Sequence, residues 1–263
     1  MSLTTMTAAA LRGEQVRIES GWGQGRATFG GLVAALLIAR MRGLLDDPAP
    51  PLRTVTTMLV APIAPGPVEI HAQVLRRGRS VVLVEATLLQ DGQPGATAQA
   101  AFAAGRASSI VIPPGAGLTR PSWPAPEALP GMQTALELAP EFLGQVDLRP
   151  ATGHPPFSGA ATPDFGGWMR YREPIADPAV EHVVGLIDAW PPAMAPMLPG
   201  PKPLSTLAWT VELFVDDFSG TDFWQYLVRT DACLDGYGHS AAQIWNGDGV
   251  LSAISRQTIA VFG

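Results

Sequence analysis

Apolar residues follow two different periods in the first part of the chain. Between residues 31 and 41 they cover most of the circumference of a helix, which predicts a buried helix. Four later segments are rich in β-branched residues or alternate between apolar and polar positions, which predicts strands. They span residues 54–63, 68–78, 80–90 and 96–105. Because Asp91-Gly92 between the last two is a strong hairpin signal, we expect one central helix followed by an antiparallel meander.

The same order of elements returns in the second part of the chain. A predicted strand at 165–174 precedes a predicted helix at 178–190, which Pro191-Pro192 ends. Four predicted strands follow, at residues 205–215, 223–233, 237–246 and 250–262. Gly247-Asp248-Gly249 closes the last hairpin, in the place that Asp91-Gly92 has in the first half. The repeated order predicts an internal duplication.

A long segment rich in Pro and Gly separates the two similar parts. Residues 106–150 have no sustained period, which predicts a crossover connection with room for a short helix or strand at 132–145. We therefore predict an N-terminal unit at 1–105, a crossover at 106–150 and a C-terminal unit at 151–263.

A glycine-dense stretch, GWGQGRATFGG at residues 21–31, comes directly before the first predicted helix. Such a stretch can cradle a nucleotide phosphate when it joins a strand to a helix in a parallel α/β unit. Here the spacing does not fit GxGxxG, no Gly-Lys-Ser/Thr follows, and strands do not alternate with helices afterwards. We interpret the glycines as positions where the backbone approaches another group closely.

Composition narrows the class of protein. The chain has 263 residues, 47% apolar and 15% charged, with a net charge of −6, which disfavours a nucleic-acid partner. Cys233 is the only cysteine and the four histidines are scattered, so we expect neither a disulfide nor a metal site. The N-terminus lacks the pattern of a signal peptide, and no apolar run reaches about 18 residues. We expect a soluble cytoplasmic protein without a membrane partner.

Four segments together carry a resemblance to a known family. They are RATFGGLVAALLIARM, LIDAWPPAM, STLAWTVELF and DGVLSAISRQTIAVF. In this order they resemble the double-hotdog acyl-CoA thioesterases of the thioesterase II type. The resemblance covers essentially the whole chain and implies an α+β double hotdog, two repeats each of a long central helix wrapped by an antiparallel β-sheet. It also implies hydrolysis of an acyl-CoA to free acid and CoA without a cofactor.

The resemblance further implies a catalytic trio of Asp188, Thr206 and Gln257. Thioester hydrolysis needs an activated water, and a carboxylate at the end of an apolar helix would have a raised pKa and act as the base. A hydroxyl and a carboxamide could hold that water without adding charge. Backbone N–H groups at Gly30 and Gly31, at the start of the first helix, could receive the thioester carbonyl oxygen.

Several interpretations stay open at this stage. Arg76, Arg77 and Arg79 could meet CoA phosphates, although a solvated hairpin end explains them as well. Ala208 stands where better-known family members have an acidic residue, which leaves room for a catalytically silent acyl-CoA binding protein. A hotdog dehydratase or hydratase ranks third because neither helix start offers a histidine. A homodimer or larger homo-oligomer is expected for a duplicated hotdog chain.

Overall fold

The computed structural model describes residues 2–132 and 139–262. In that part of the chain the helices are α1 (Leu3–Arg12), α2 (Gly30–Arg42) and α3 (Val180–Ile187). The strands are β1 (Val16–Ile18), β2 (Gly23–Gln24), β3 (Ala27–Thr28), β4 (Leu52–Leu59), β5 (Gly66–Arg77), β6 (Val81–Gln90), β7 (Gln93–Ala103), β8 (Val146–Thr152), β9 (Phe165–Tyr171), β10 (Leu204–Leu213), β11 (Trp224–Leu234), β12 (Tyr237–Trp245) and β13 (Leu251–Val261). Short 3-10 turns cover Pro126–Ala128, Glu141–Gly144 and Ala195–Met197.

Eleven of the described strands form one antiparallel sheet. Their order is β1-β5-β6-β7-β4-β10-β13-β12-β11-β9-β8, so the β4–β10 pair joins the two parts of the chain at the centre. Outwards from that pair, the first part continues with β7, β6 and β5, and the second part with β13, β12 and β11. The two parts therefore connect their strands in the same order. The α+β class expected from the sequence is confirmed.

Several strands bury one face against the core. In β6, Val82, Val84, Ala86 and Leu88 are buried, and the residues between them are more exposed. This period of two follows from the pleat, which points successive side chains to opposite faces. The turn at Asp91-Gly92 has positive φ at both residues, 50° and 75°, as a two-residue hairpin of type I′ requires.

Some features of the structure differ from the sequence predictions or lie outside them. Helix α1 was not predicted, although Ser2 accepts a hydrogen bond from the Thr5 amide at its start and Gly13 ends it at φ 72°. The predicted short element at 132–145 partly falls on residues 133–138, which are outside the described residues. Strand β8 then crosses the predicted domain boundary at residue 150.

Helices α2 and α3 touch through two glycines. A Cβ added at Gly31 would collide with the carbonyl oxygen of Gly185, and one added at Gly185 would lie 3.0 Å from the carbonyl oxygen of Gly31. Because neither residue has a side chain, the start of α2 packs directly on the backbone of α3. This contact brings the first turn of α2 to the C-terminal end of α3.

A polar cluster joins all three helices. Arg42 Nη2 lies 3.2 Å from Glu181 Oε1, and the Glu181 side chain is buried. His182 Nδ1 accepts a hydrogen bond from the Ala179 amide at 3.0 Å, so its Nε2 carries the hydrogen that faces Thr7 Oγ1, also at 3.0 Å. Burial lowers the pKa of His182 to about 4, which keeps the ring neutral at pH 7.

Candidate active site

The carboxylate of Asp188 lies where the two buried helices meet the sheet. Asp188 is the residue immediately after α3 and still has helical dihedral angles, φ −80° and ψ −2°. Its side chain is densely surrounded by protein but keeps some solvent contact. The Gly31–Gly185 contact places the start of α2 against it, so a Cβ added at Gly30 would lie 2.8 Å from Asp188 Oδ2.

Two neighbours stabilise the charged form of this carboxylate. Gln257 Nε2 donates a hydrogen bond to Asp188 Oδ1 at 2.6 Å, and the backbone N–H of Gly31 lies close to the carboxylate. Burial outweighs both effects and raises the pKa of Asp188 to about 7. A carboxyl group with this pKa is ionised in about half of the molecules at neutral pH and can still accept a proton, which suits a general base.

Thr206 lies on the same face of the sheet as Gln257. Thr206 stands opposite Ile259, and Gln257 stands opposite Trp209, in the β10–β13 pair. Ile259 and Trp209 are buried, so this face is the one that packs on the helices. The position of Thr206 is diagonal to that of Gln257, a spacing of about 7–8 Å between Cα atoms. In the described part of the chain, the Thr206 hydroxyl makes no hydrogen bond.

An irregular residue in β10 turns Ala208 to the outer face. The register shifts between Thr206 and Ala208, which leaves Leu207 as the extra residue of a β-bulge. Ala208 stands opposite Thr258 and, on its other side, opposite the exposed Met58. A carboxylate at position 208 would therefore point away from Asp188. The replacement of the acidic residue by alanine leaves the inner face unchanged.

The glycine-dense stretch forms a turn and the start of a helix. Strands β2 and β3 pair as a short ribbon, with Gly25 at φ 65° in the turn between them. Phe29 follows and is fully buried, with its ring stacked 4.1 Å from that of Phe142. The glycines at 30 and 31 then allow the approach of α2 to Asp188 and to α3. This arrangement agrees with the interpretation of these glycines as points of close approach.

Aromatic side chains pack around the C-terminal part of α3 and the residues that follow it. Trp190 stacks on Tyr226 with ring centroids 5.6 Å apart and planes 11° from parallel. Tyr171 Oη donates to the carbonyl oxygen of His182 at 2.9 Å. Burial, with the negative charge of Asp188 as a second cause, raises the pKa of both tyrosines, so both hydroxyls stay protonated. The sequence analysis missed both tyrosines, and their place on buried strands was the only signal for them.

Two matches to family models cover most of the chain. The model of the acyl-CoA thioesterase N-terminal domain matches residues 18–103, and that of the acyl-CoA thioesterase C-terminal domain matches residues 121–261. The chain belongs to the acyl-CoA thioesterase family. It is a thioester hydrolase, as the resemblance of the four sequence segments implied.

Solved structures similar to this acyl-CoA thioesterase have a hotdog fold. A conserved hotdog protein of unknown function from Alicyclobacillus acidocaldarius has a TM-score of 0.83 and 22% identity, over 95% of this chain and 92% of that one. The tesB protein of Mycobacterium avium subs paratuberculosis has a TM-score of 0.78 and 17% identity, over 100% of both chains. An acyl-CoA thioesterase II from Mycobacterium marinum has a TM-score of 0.72 and 17% identity, over 94% of this chain and 92% of that one. At these identities the likeness shows the fold alone. No curated protein matches the sequence significantly.

The arginines predicted to contact CoA lie far from Asp188 in this acyl-CoA thioesterase. Arg76, Arg77 and Arg79 are exposed at the β5–β6 turn. Arg77 donates to Asp46 Oδ2 at 3.0 Å, just beyond the C-terminal end of α2. The 13 residues of α2 separate this end from Gly30 by about 20 Å. The structure therefore brings Asp188, Gln257, Gly30 and Gly31 together and leaves the arginines at the opposite end of α2.

Over residues 2–132 and 139–262, no group of three or more His, Cys, Asp or Glu side chains is arranged to hold a metal ion. None of the helices in those ranges is long and apolar enough to cross a membrane.

Proposed function

We propose that this thioester hydrolase cleaves an acyl-CoA with a water molecule held by Asp188, Thr206 and Gln257. The observation that carries the proposal is the 2.6 Å contact between Gln257 and a carboxylate whose pKa is raised to about 7. A pair of residues 69 positions apart in sequence is thereby joined at the point where α2, α3 and the sheet meet. The hydroxyl of Thr206 is on the same face and has no competing partner in the described residues.

The reaction follows from the chemistry of these groups. Asp188 takes a proton from water while the water oxygen attacks the thioester carbonyl carbon. The carbonyl oxygen becomes negative in the tetrahedral intermediate. The C–S bond then breaks, the CoA thiolate leaves, and the proton on Asp188 returns to the sulfur. General-base assistance of this kind contributes about 10²–10⁴ in rate.

The start of α2 supplies part of the environment for the negative oxygen. The first amides of a helix have no partner within the helix, and the helix dipole favours negative charge there. The Gly31 amide lies close to Asp188 and favours its charged form, so we assign the Gly30 amide as the backbone donor for the carbonyl oxygen. Both glycines keep side chains away from the thioester.

The same proposal extends to the fold and the assembly. The matching strand order on the two sides of the β4–β10 pair supports two hotdog repeats, each built on one buried helix. Four further points stay predictions. They are the unit boundaries at 1–105 and 151–263, the CoA contacts of Arg76, Arg77 and Arg79, the cytoplasmic location, and a homodimer or larger homo-oligomer.

Thiol release from a panel of acyl-CoA thioesters of different chain lengths tests the proposal. We expect the wild-type protein to release CoA from at least one of them. Thr206→Val and Gln257→Met should each lower kcat by about tenfold or more, because each removes one group that orients the water. Thr210→Val is the matched control, since Thr210 lies on the same strand but on the outer face, hydrogen-bonded to Thr56.

Two outcomes would count against the proposal. Binding of acyl-CoA without release of thiol would favour the silent binding protein. Equal loss of activity in Thr206→Val and Thr210→Val would show that the inner face has no special role.

A further inference from the structure

Ser240 is a buried residue directly beside Gln257 on the sheet. It lies on β12 and stands opposite Gln257 in the β12–β13 pair, as Trp209 does in the β10–β13 pair. Residues directly opposite each other share a face and have Cβ atoms about 4.5–5.5 Å apart. Ser240 is therefore the neighbour of Gln257 on the inner face, on the side away from Trp209.

The segment that follows α3 covers this part of β12. A Cβ added at Gly238 would collide with Cε of Met194, so Met194 packs directly on the strand. Gly238 lies two residues before Ser240 and on the same face, because side chains alternate along a strand. The chain that begins with Asp188 thus closes over the strand that carries Ser240, which is only 4% exposed.

The hydroxyl of Ser240 and the carboxamide oxygen of Gln257 are both available. Within residues 2–132 and 139–262, no hydrogen bond involves Ser240 Oγ or Gln257 Oε1. Neither atom is among the fully enclosed polar atoms of that part of the chain that lack a partner, so water reaches both. Buried polar groups normally have a partner, and a water can join two neighbouring ones that make no direct hydrogen bond.

We propose that Ser240 fixes the orientation of the Gln257 carboxamide by binding its oxygen through one bridging water. Ser240 is then a positioning residue, and the inference rests on the proposed function. It does not touch the thioester, and it acts on the reaction only through Gln257.

The chemistry of Asp188 shows why such an anchor is needed. The carboxamide of Gln257 has a donor end and an acceptor end, and an ionised carboxylate selects the donor end, as the contact from Nε2 shows. Once Asp188 has taken the proton of the water, its carboxyl group can itself donate and would attract the acceptor end instead. An anchor at Oε1 keeps Nε2 on Asp188 in both forms, so the carboxamide does not turn during the reaction.

Ser255 provides a matched control on the other side of the same residue. It lies two positions before Gln257 on β13, on the same face, and is as deeply buried as Ser240. Its hydroxyl, however, already accepts a hydrogen bond from Trp209 Nε1 at 2.8 Å. Removal of the Ser240 hydroxyl should therefore affect catalysis, and removal of the Ser255 hydroxyl should affect stability.

The experiment compares Ser240→Ala with Ser255→Ala by steady-state hydrolysis of an accepted acyl-CoA and by thermal unfolding. Ser240→Ala should lower kcat by about three- to tenfold, the kinetic equivalent of one hydrogen bond, with little change in KM. Its melting temperature should stay near the wild-type value, because Ser240 makes no hydrogen bond within the described chain. Ser255→Ala should melt at a lower temperature, because it leaves the Trp209 indole without its partner, and should keep the wild-type kcat.

A double-mutant cycle with Gln257→Met separates action through Gln257 from an independent role. In the Gln257→Met background, Ser240→Ala should change kcat by less than about twofold, since no carboxamide is left to position. Wild-type kcat in Ser240→Ala, or its full loss on top of Gln257→Met, would overturn this inference and leave the proposed function in place. If the wild-type protein releases thiol from no acyl-CoA, the proposed function itself fails and this inference fails with it.

Discussion

Substitution of Asp188 by asparagine should strongly slow hydrolysis and, at the same time, make the folded protein more stable than the wild type at alkaline pH. The side chains have the same shape, but asparagine cannot accept the proton of the water. We expect kcat to fall by about 10²–10⁴, the contribution of a general base. The effect on stability has the opposite sign because the carboxylate is densely surrounded by protein, and burial disfavours its charged form.

The magnitude follows from the pKa of Asp188. Its rise from 3.8 to about 7 means that the folded protein binds this proton more tightly than the unfolded chain does. At about 1.4 kcal/mol for each tenfold change in affinity, ionisation costs the folded state about 4 kcal/mol when complete. The benefit of the neutral form is fully present below pH 4 and is lost as the pH rises through 7. About 2 kcal/mol of this loss falls between pH 5.5 and pH 8.5.

Solvent contact at the carboxylate and local relaxation reduce the loss between pH 5.5 and pH 8.5. We therefore expect the wild-type protein to lose about 1–2 kcal/mol relative to Asp188→Asn over this range. The assay is urea unfolding of the wild-type protein and Asp188→Asn at pH 5.5 and at pH 8.5. We compare how the difference in the free energy of unfolding between the two proteins changes from pH 5.5 to pH 8.5. Other titrating groups cancel in this comparison, since both proteins contain them.

Two results would refute the reasoning. If both proteins lose the same free energy of unfolding between the two pH values, the Asp188 carboxylate does not have a raised pKa. If Asp188→Asn keeps kcat near the wild-type value, the carboxylate is not the base, whatever its pKa.

Two further predictions concern the packing around this site. Gly30→Ala places a methyl group 2.8 Å from Asp188 Oδ2 and should lower kcat by about 10²-fold, because it displaces the carboxylate. The control is Gly144→Ala, where the added Cβ meets open space, and this variant should hydrolyse acyl-CoA like the wild-type protein. Arg42→Met removes the cation 3.2 Å from the buried Glu181 and should lower the free energy of unfolding in urea by about 2–3 kcal/mol at pH 8. The loss should be smaller at pH 5, because burial raises the pKa of Glu181 and its carboxyl group can then be protonated. An equal cost at both pH values would contradict the role given to this ion pair.

Local patterns in the sequence predicted most of the elements. The predicted helix at 31–41 corresponds to α2, and the hairpin at Asp91-Gly92 was placed correctly. These features depend on neighbours a few residues away, through the helical period, the strand period and the steric requirements of a turn. Helix α1 was missed because its capping residues, Ser2 and Gly13, are a weaker signal than a continuous apolar stretch.

The candidate residues could be named from the resemblance, but their arrangement could not. The same sequence is compatible with Ala208 on either face of β10, and a single extra residue in that strand turns it outwards. Likewise, nothing near Asp188 in the sequence indicates that its carboxylate meets the side chain of Gln257, 69 positions later. The register of the sheet and the crossing of two helices set both positions.

The sequence by itself determined the periods of the strands, the buried character of α2, the two turns and the residue types available for chemistry. Tertiary structure alone decided that Asp188 meets Gln257 and that the Gly31 amide lies close to the same carboxylate. It also decided the pKa of Asp188, because that value depends on how much protein surrounds the carboxylate. Local preferences arise from each residue and its neighbours, whereas contact and burial arise from segments far apart in the chain, which become neighbours only after the sheet and the helices have packed together.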